Sequence, residues 1–289
     1  MSISELRSRC QNMGHNLALS EAINRKFSIY ITAILIHTSL TANQVSFIAM
    51  CFGLLGSVFL VLSSPILALV GGFFFLLGEV LDCCDGEIAR YRKQSSLTGL
   101  YIDRMTGLIV GAFQYVFVGY MVYQMTGDVS AFAFAFAASI SRPIATLTSH
   151  HMQVSAFEPL LYAYRSKDDI GSLLEKVRRE QKHSFVPDLD GIGVGKQSWL
   201  MSLAWFFYNG SGRHILLMAV IVIDMLQGAF GGADVIYETA SGIYLIWYGV
   251  LSMVAWMGMT VLIIRRRSTE ACYLKMHDGI SKSIKTAND

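Results

Sequence analysis

The sequence predicts an all-α polytopic membrane protein, with six transmembrane helices preceded by an interfacial amphipathic helix. Three observations predict it. Of 289 residues, 53% are hydrophobic and only 15% charged, and the mean hydropathy is +0.46. A soluble domain carries about 25% charged residues. Apolar stretches recur at the length a bilayer demands, about 20 residues of helix. Lysine and arginine are confined to alternate connections, as an even number of spans requires.

The first 42 residues form a polar segment ending in the short apolar run Phe27 to Leu40, which follows Arg25 and Lys26. That run suits a helix lying on the membrane surface. The polar, mixed-charge stretch from Met1 to Arg25 is unlike a cleavable signal peptide. Residues 43–264 then carry the spans: Asn43 to Pro65, Ile66 to about Arg90, Met105 to Gly127, Val129 to Leu147, Ile215 to Ala229 and Ser241 to Ile264. Residues 150–212 interrupt them as a charged, Pro/Gly-containing excursion, and residues 265–289 form a tail. The turns near Ser64, Gly127 and Gly232 lack basic residues. Both termini and the basic loops are therefore expected in the cytoplasm, with the protein in an inner or plasma membrane. A net charge of +2 gives no basis for a nucleic-acid partner, and five cysteines without framework spacing give none for a disulfide scaffold.

Chemistry concentrates between Asp82 and Gly107. Asp82, Asp85 and Ala89 fall at i, i+3 and i+7 of one helix. Gly99, Asp103 and Gly107 fall at i, i+4 and i+8 of the next. Tyr91 to Leu97 makes the turn, so two antiparallel helices aim three carboxylates at one another near the cytoplasmic surface. Unpaired carboxylates at a membrane boundary are costly, and an all-oxygen set favours Mg²⁺ or Mn²⁺. Gly86 and Gly99 would let a flat base or a diphosphate approach the backbone, and Arg90 suits bidentate phosphate binding.

These residues resemble the signature of the CDP-alcohol phosphotransferase family, D-x2-D-G-x2-A-R followed by G-x3-D-x3-D. Asp82, Asp85, Gly86, Ala89, Arg90, Gly99 and Asp103 occupy seven of its eight positions. Leu40 to Met50 resembles the family's T-P-N-x-V-T opening of the first span, with Ala42 in place of proline. The resemblance implies a CDP-alcohol donor with its diphosphate on a two-metal site, an alcohol or phospho-alcohol acceptor, and release of CMP, in synthesis of a phospholipid or related phosphodiester. It implies Asp82, Asp85 and Asp103 as metal ligands, Gly86, Ala89, Arg90 and Gly99 at the nucleotide, a membrane-lipid setting and a homodimer. The DGEIAR wording and the RKFSIYITAIL segment are similar to the branch that uses an inositol phosphate.

Gly107 stands where the family has an aspartate expected to bind the second metal and activate the acceptor. General-base assistance is worth about 10²- to 10⁴-fold. Three explanations follow: a silenced member that still binds nucleotide or lipid, an engineered replacement, or a substitute carboxylate. Glu79, one turn before Asp82, and Asp224, inside the fifth span, are the candidates, each with a helix-pairing role as its alternative. A transporter fits less well, because the acidic cluster lies at one surface rather than at the midplane.

Weaker signals have plainer explanations. Arg104, Arg142 and Arg213 suit positive-inside anchoring as well as anion binding. Adjacent His150 and His151 do not share a helical face. Cys83 and Cys84 fill variable motif positions, and Gly191 to Lys196 lacks the Ser or Thr that a phosphate loop needs.

Overall fold

The structure, a computed structural model, describes residues 2–11, 19–62, 64–94, 96–141, 143–144, 155, 211–230, 233–265 and 272–274. Among them every regular element is helical and no strand occurs. Arg142, His150, His151, the Gly191 to Lys196 turn and nearly all of the 150–212 excursion lie outside the described residues. The chain divides into two compact units, Met1–Ile140 with Val194–Leu251, and Ser141–Gly193 with Ser252–Asp289. The candidate site lies wholly in the first. Of the second, the description covers mainly the last turns of the final helix.

In chain order the helices of the described residues are α1 (Ile3–Cys10), α2 (Leu19–Leu35), α3 (Ala42–Leu60), α4 (Pro65–Tyr91), α5 (Leu97–Thr126), α6 (Ser130–Ser141), α7 (Ser211–Gln227) and α8 (Ala240–Arg265). A 3₁₀ turn, Ile236–Glu238, precedes α8. Among the described residues four helices are long and apolar enough to cross a membrane: α3, α4, α5 from Thr98, and α8. Helix α6 is apolar but shorter, and α7 has 17 residues. Large apolar side chains cover the outside, among them Phe73 (58% exposed) and Trp247 (60% exposed). Such a surface is unfavourable in water and ordinary in lipid.

Local chemistry sets the helix ends. Thr41 and Gln44 form a reciprocal capping box that starts α3. Pro65 occupies the first turn of α4, where its missing N–H costs nothing, and α3 ends at Leu60, before the expected Pro65. The Ser96 hydroxyl accepts from the Gly99 N–H and starts α5, so this helix begins eight residues before the expected Met105 and takes in Asp103. Gly127 ends α5 at φ 68°, a left-handed conformation that glycine adopts without penalty. Helix α2 also begins earlier than Phe27, through a polar turn at Leu19.

Helix α4 is the hub. It packs most extensively on α3, then on α2 and α7, and it also meets α1. Gly56 and Gly71 let the α3 and α4 backbones touch: a Cβ on Gly56 would lie 2.7 Å from the Gly71 carbonyl oxygen, and one on Gly71 2.6 Å from that of Gly56. Close approach through small residues is how helices associate in lipid. Beside this contact the core of the first unit gathers Leu60, Phe75, Tyr115, Val122, Leu217, Ile221 and Tyr248 from α3, α4, α5, α7 and α8.

Away from the site, Asp128 joins the α5–α6 turn to the segment before α8. Its carboxylate accepts the Ser130 N–H at 2.8 Å and the Ile236 N–H at 3.2 Å. Hydrogen bonding from Ser130, side chain first and then backbone, together with the Ile236 N–H, holds this carboxyl below the usual carboxylate range. A carboxyl depressed by folding stabilises the fold above its unfolded pKa, about 3.9, and that contribution fades as pH falls through the folded value. In detergent, wild type is expected to melt above Asp128→Asn at pH 6, with the gap closing below about pH 4; a constant gap would count against it. Gly56→Leu is expected to abolish the native melting transition, because two backbones would have to separate.

Candidate active site

The site forms where α4 ends and α5 begins. Asp82 and Asp85 lie one turn apart on α4, and Asp103 faces them from α5. One carboxylate oxygen from each lies within 4.8 Å of the others. Asp85 is buried, Asp103 half-buried and Asp82 exposed. The Ser46 hydroxyl of α3 donates to Asp85 Oδ2, so three helices converge on this carboxylate. The chain reverses through Arg92, Lys93 and Gln94. Lys93 has φ 54°, a left-handed conformation at a non-glycine residue. The Arg92 guanidinium donates to the Leu40 carbonyl at 2.5 Å and to the Thr38 carbonyl at 2.8 Å, fastening the hairpin to the α2–α3 link.

A cavity of about 420 Å³ opens over the carboxylates. Asp82, Asp85, Gly86, Ala89, Arg90, Gly99 and Asp103 line it, together with Arg25, Asn43, Ser46, Gln94 and Ser96. Seven residues expected from the sequence thus share one cavity. Gly86 and Gly99 are constrained from opposite walls. A Cβ at Gly86 would come within 3.2 Å of the Arg90 guanidinium. One at Gly99 would meet Ser96 Oγ at 3.2 Å and Asn43 Oδ1 at 3.3 Å. Either addition would narrow the cavity and press on a polar group that lines it. Arg90 is itself held, its Nε donating to the Cys10 carbonyl at 2.5 Å.

The remaining expected residues lie elsewhere. Gly107 is one turn along α5 from Asp103, and among the described residues outside its own turn of helix no heavy atom lies within 4 Å of where its Cβ would be. Glu79 is not among the cavity's lining residues. Its Oε1 lies 2.9 Å from His214 Nε2 and 3.5 Å from the Arg213 guanidinium of α7. Its Oε2 accepts from Ser211 at 2.6 Å and from Asn24 of α2 at 3.4 Å. Asp224 is fully buried and accepts the Ala240 and Ser241 N–H groups at 2.5 and 2.9 Å, so it caps the start of α8.

Sequence spacing missed two features. The first is Arg25 with Asn43 and Ser46, which enter from α2 and α3, outside the two-helix motif. The second is Glu87, fully buried at a variable motif position. It accepts from Gln11 at 2.7 Å, Ser28 at 2.6 Å and Thr32 at 2.6 Å. Ser28 and Thr32, four residues apart in the otherwise apolar half of α2 from Phe27 to Leu35, were the available signal: two hydroxyls on one face require a polar partner.

Comparison with known proteins covers the same segment of the chain. Residues 39–163 match the sequence model of the CDP-alcohol phosphatidyltransferase family, a span that includes every motif position. Two curated relatives are named bifunctional IPC transferase and DIPP synthase. That of Archaeoglobus fulgidus is 30% identical over 115 residues, 40% of this chain and 22% of its own. That of Thermococcus kodakarensis is 28% identical over 85 residues, 29% of this chain and 18% of its own. The match therefore spans about a fifth of each relative's length.

Because its Cβ position is open, Gly107→Asp is expected to leave the melting temperature within about 2 °C of wild type, as an ordinary exposed substitution does. A carboxylate at i+4 from Asp103 is also expected to tighten Mn²⁺ binding, read by electron paramagnetic resonance. Unchanged Mn²⁺ affinity in the folded variant would separate Gly107 from the acidic cluster.

Proposed function

We propose that the protein transfers a substituted phosphate from a CDP-alcohol to an acceptor alcohol and releases CMP. The supporting observation is the convergence of three carboxylates from two helices on a cavity that also carries two arginines, within a domain of the matching family. The new bond joins the acceptor oxygen to the β-phosphorus. The bond from that phosphorus to the oxygen of CMP breaks, and the hydroxyl proton leaves to a base. Asp82, Asp85 and Asp103 would hold Mg²⁺ or Mn²⁺ in a two-metal site, since hard oxygen donors at this separation match such ions. Divalent metal bound there supplies charge for the diphosphate and for the attacking and leaving oxygens. Asp85 is oriented by Ser46. Arg90, aimed by the Cys10 carbonyl, meets phosphate. Gly86, Ala89 and Gly99 leave room for the nucleotide.

The reading includes the membrane setting. Six spans are proposed, with α6 and α7 completing the set of four long helices, and α2 is proposed as interfacial. Phe27, Tyr30 and Ile34 stand exposed on one face of α2 while Ser28 and Thr32 face α4, an amphipathic division suited to a lipid surface. Both termini, residues 1–42 and 265–289, and the 150–212 excursion are placed in the cytoplasm of an inner or plasma membrane, and a homodimer accompanies the reading. The product is a phospholipid or related phosphodiester. An inositol-phosphate acceptor, the branch to which DGEIAR is similar, is the first to try.

Gly107 favours a second reading, a protein that binds nucleotide or lipid without turnover. Glu79 or Asp224 could replace the missing base only by releasing the partners that now hold it.

The experiment is release of CMP from a panel of CDP-alcohols with Mg²⁺ or Mn²⁺, for wild type, Gly107→Asp and Asp85→Asn. Wild type is expected to turn over slowly, Gly107→Asp faster by about 10²-fold or more, and Asp85→Asn not at all. Turnover by Gly107→Asp alone would establish the silenced reading. Absence of CMP release and of donor binding from both wild type and Gly107→Asp would remove the phosphotransferase assignment.

A further inference from the structure

Two arginines line the cavity, and each is fastened to a neighbouring residue of the same short segment. The Cys10 carbonyl accepts from Arg90 Nε at 2.5 Å. Gln11 Nε2 donates to the Arg25 carbonyl at 2.7 Å and to Glu87 Oε1 at 2.7 Å. Arg90 belongs to the signature helix, whereas Arg25 belongs to α2 and to no part of the motif.

The placement of Arg25 is over-determined. Arg25, Ser28 and Thr32 fall at i, i+3 and i+7, one face of α2. Ser28 and Thr32 donate to the two oxygens of Glu87, on the opposite side of α4 from Asp85. On the other side of Arg25, Asn24 reaches Glu79 at 3.4 Å and accepts from Ser211 at 2.7 Å. Helix α2 is thus pinned to α4 before and after Arg25, and the Arg25 backbone is held from α1. Sliding α2 by one residue would break four of these hydrogen bonds. This arrangement fixes one cationic residue at the wall of the cavity that the three carboxylates also line.

Resting on the reading of the cavity as a CDP-alcohol site, we propose that Arg25 is a phosphate-binding residue of the donor site and that Glu87 is its positioning residue. With divalent metal on the carboxylates, the cavity presents positive charge from three directions: the metal side, Arg90 and Arg25. A diphosphate is the part of a CDP-alcohol that needs all three, because its anionic oxygens spread over two phosphorus atoms. The guanidinium suits the task through its fixed fork of donors. The same helix carries the exposed Phe27, Tyr30 and Ile34. Arg25 therefore sits where a donor with its nucleotide in the cavity and its alkyl chains in lipid crosses the membrane surface.

The test is equilibrium binding of CDP with Mg²⁺ to the full chain in nanodiscs, which does not depend on turnover. Arg25→Ala is expected to weaken CDP by about tenfold or more, the usual effect of removing a charge-assisted hydrogen bond. Arg25→Lys is expected to restore part of it. Lys26→Ala, an equal charge loss at the exposed next residue, is expected to leave affinity unchanged. Glu87→Gln is expected to weaken CDP in wild type but to add little in the Arg25→Ala background, because its effect passes through Arg25. Wild-type affinity in Arg25→Ala would overturn the inference, as would an equal loss in Lys26→Ala. Additive losses would remove Glu87 from it. If wild type binds CDP and Asp85→Asn does not, the site reading stands whatever Arg25 does; if wild type binds none, site reading and inference fall together.

Discussion

An apolar helix that carries carboxylates must find a partner for each of them, because an unpaired one inside a membrane protein costs several kcal/mol. Helix α4 carries four within nine residues: Glu79, Asp82, Asp85 and Glu87. Each is met differently, and the neighbours that meet them are the helices packed around α4. Glu79 draws in α7 and α2. Glu87 draws in α1 and α2. Asp85 takes a hydroxyl from α3 and, with Asp82, faces Asp103 of α5. At about 100° per residue these side chains point in different directions, so one helix organises a ring of neighbours through its acids.

That constraint separates scaffold from site. Glu79 and Glu87 have protein donors at hydrogen-bond distance on both oxygens. Asp82 and Asp103 instead open on a cavity together with two guanidiniums. Carboxylates satisfied by donors of neighbouring helices build the fold, whereas carboxylates gathered against one another at a cavity are suited to a cation, as the proposed metal site would supply. The distinction follows from which neighbours supply donors, and it does not depend on any sequence motif.

The same distinction explains what was legible in the sequence. Spacing within two adjacent helices placed Asp82, Asp85 and Asp103 together, because helical periodicity and one short turn are local facts. Apolar length gave the four long helices, with their ends displaced wherever a cap or Pro65 decided the boundary. The partners of Glu87 were not legible, since Gln11 lies 76 residues away and only the packing of α1 and α2 brings it close. Arg25 was hidden for the same reason. Its charge beside Lys26 resembles ordinary positive-inside anchoring, and only the register that Ser28 and Thr32 impose turns one of the two toward the cavity. Hydropathy likewise divided Phe27 to Leu40 from the residues before it, although the helix runs unbroken from Leu19 to Leu35.

Gly107 fits this division. A residue on which the fold depended would have neighbours, as Gly56 and Gly71 do where α3 and α4 touch. Among the described residues Gly107 has none within 4 Å of its Cβ position outside its own turn of helix. Its identity is therefore uncoupled from the packing that holds the three remaining carboxylates. Those three keep their places through Ser46, the α4–α5 turn and the clamp of Arg92 on the α2–α3 link. Under the proposed function, change at this one position alters proton transfer and metal affinity while the cavity, its arginines and its two glycines persist. The proposed nucleotide site and a glycine at the fourth motif position are compatible in one chain because different contacts maintain them.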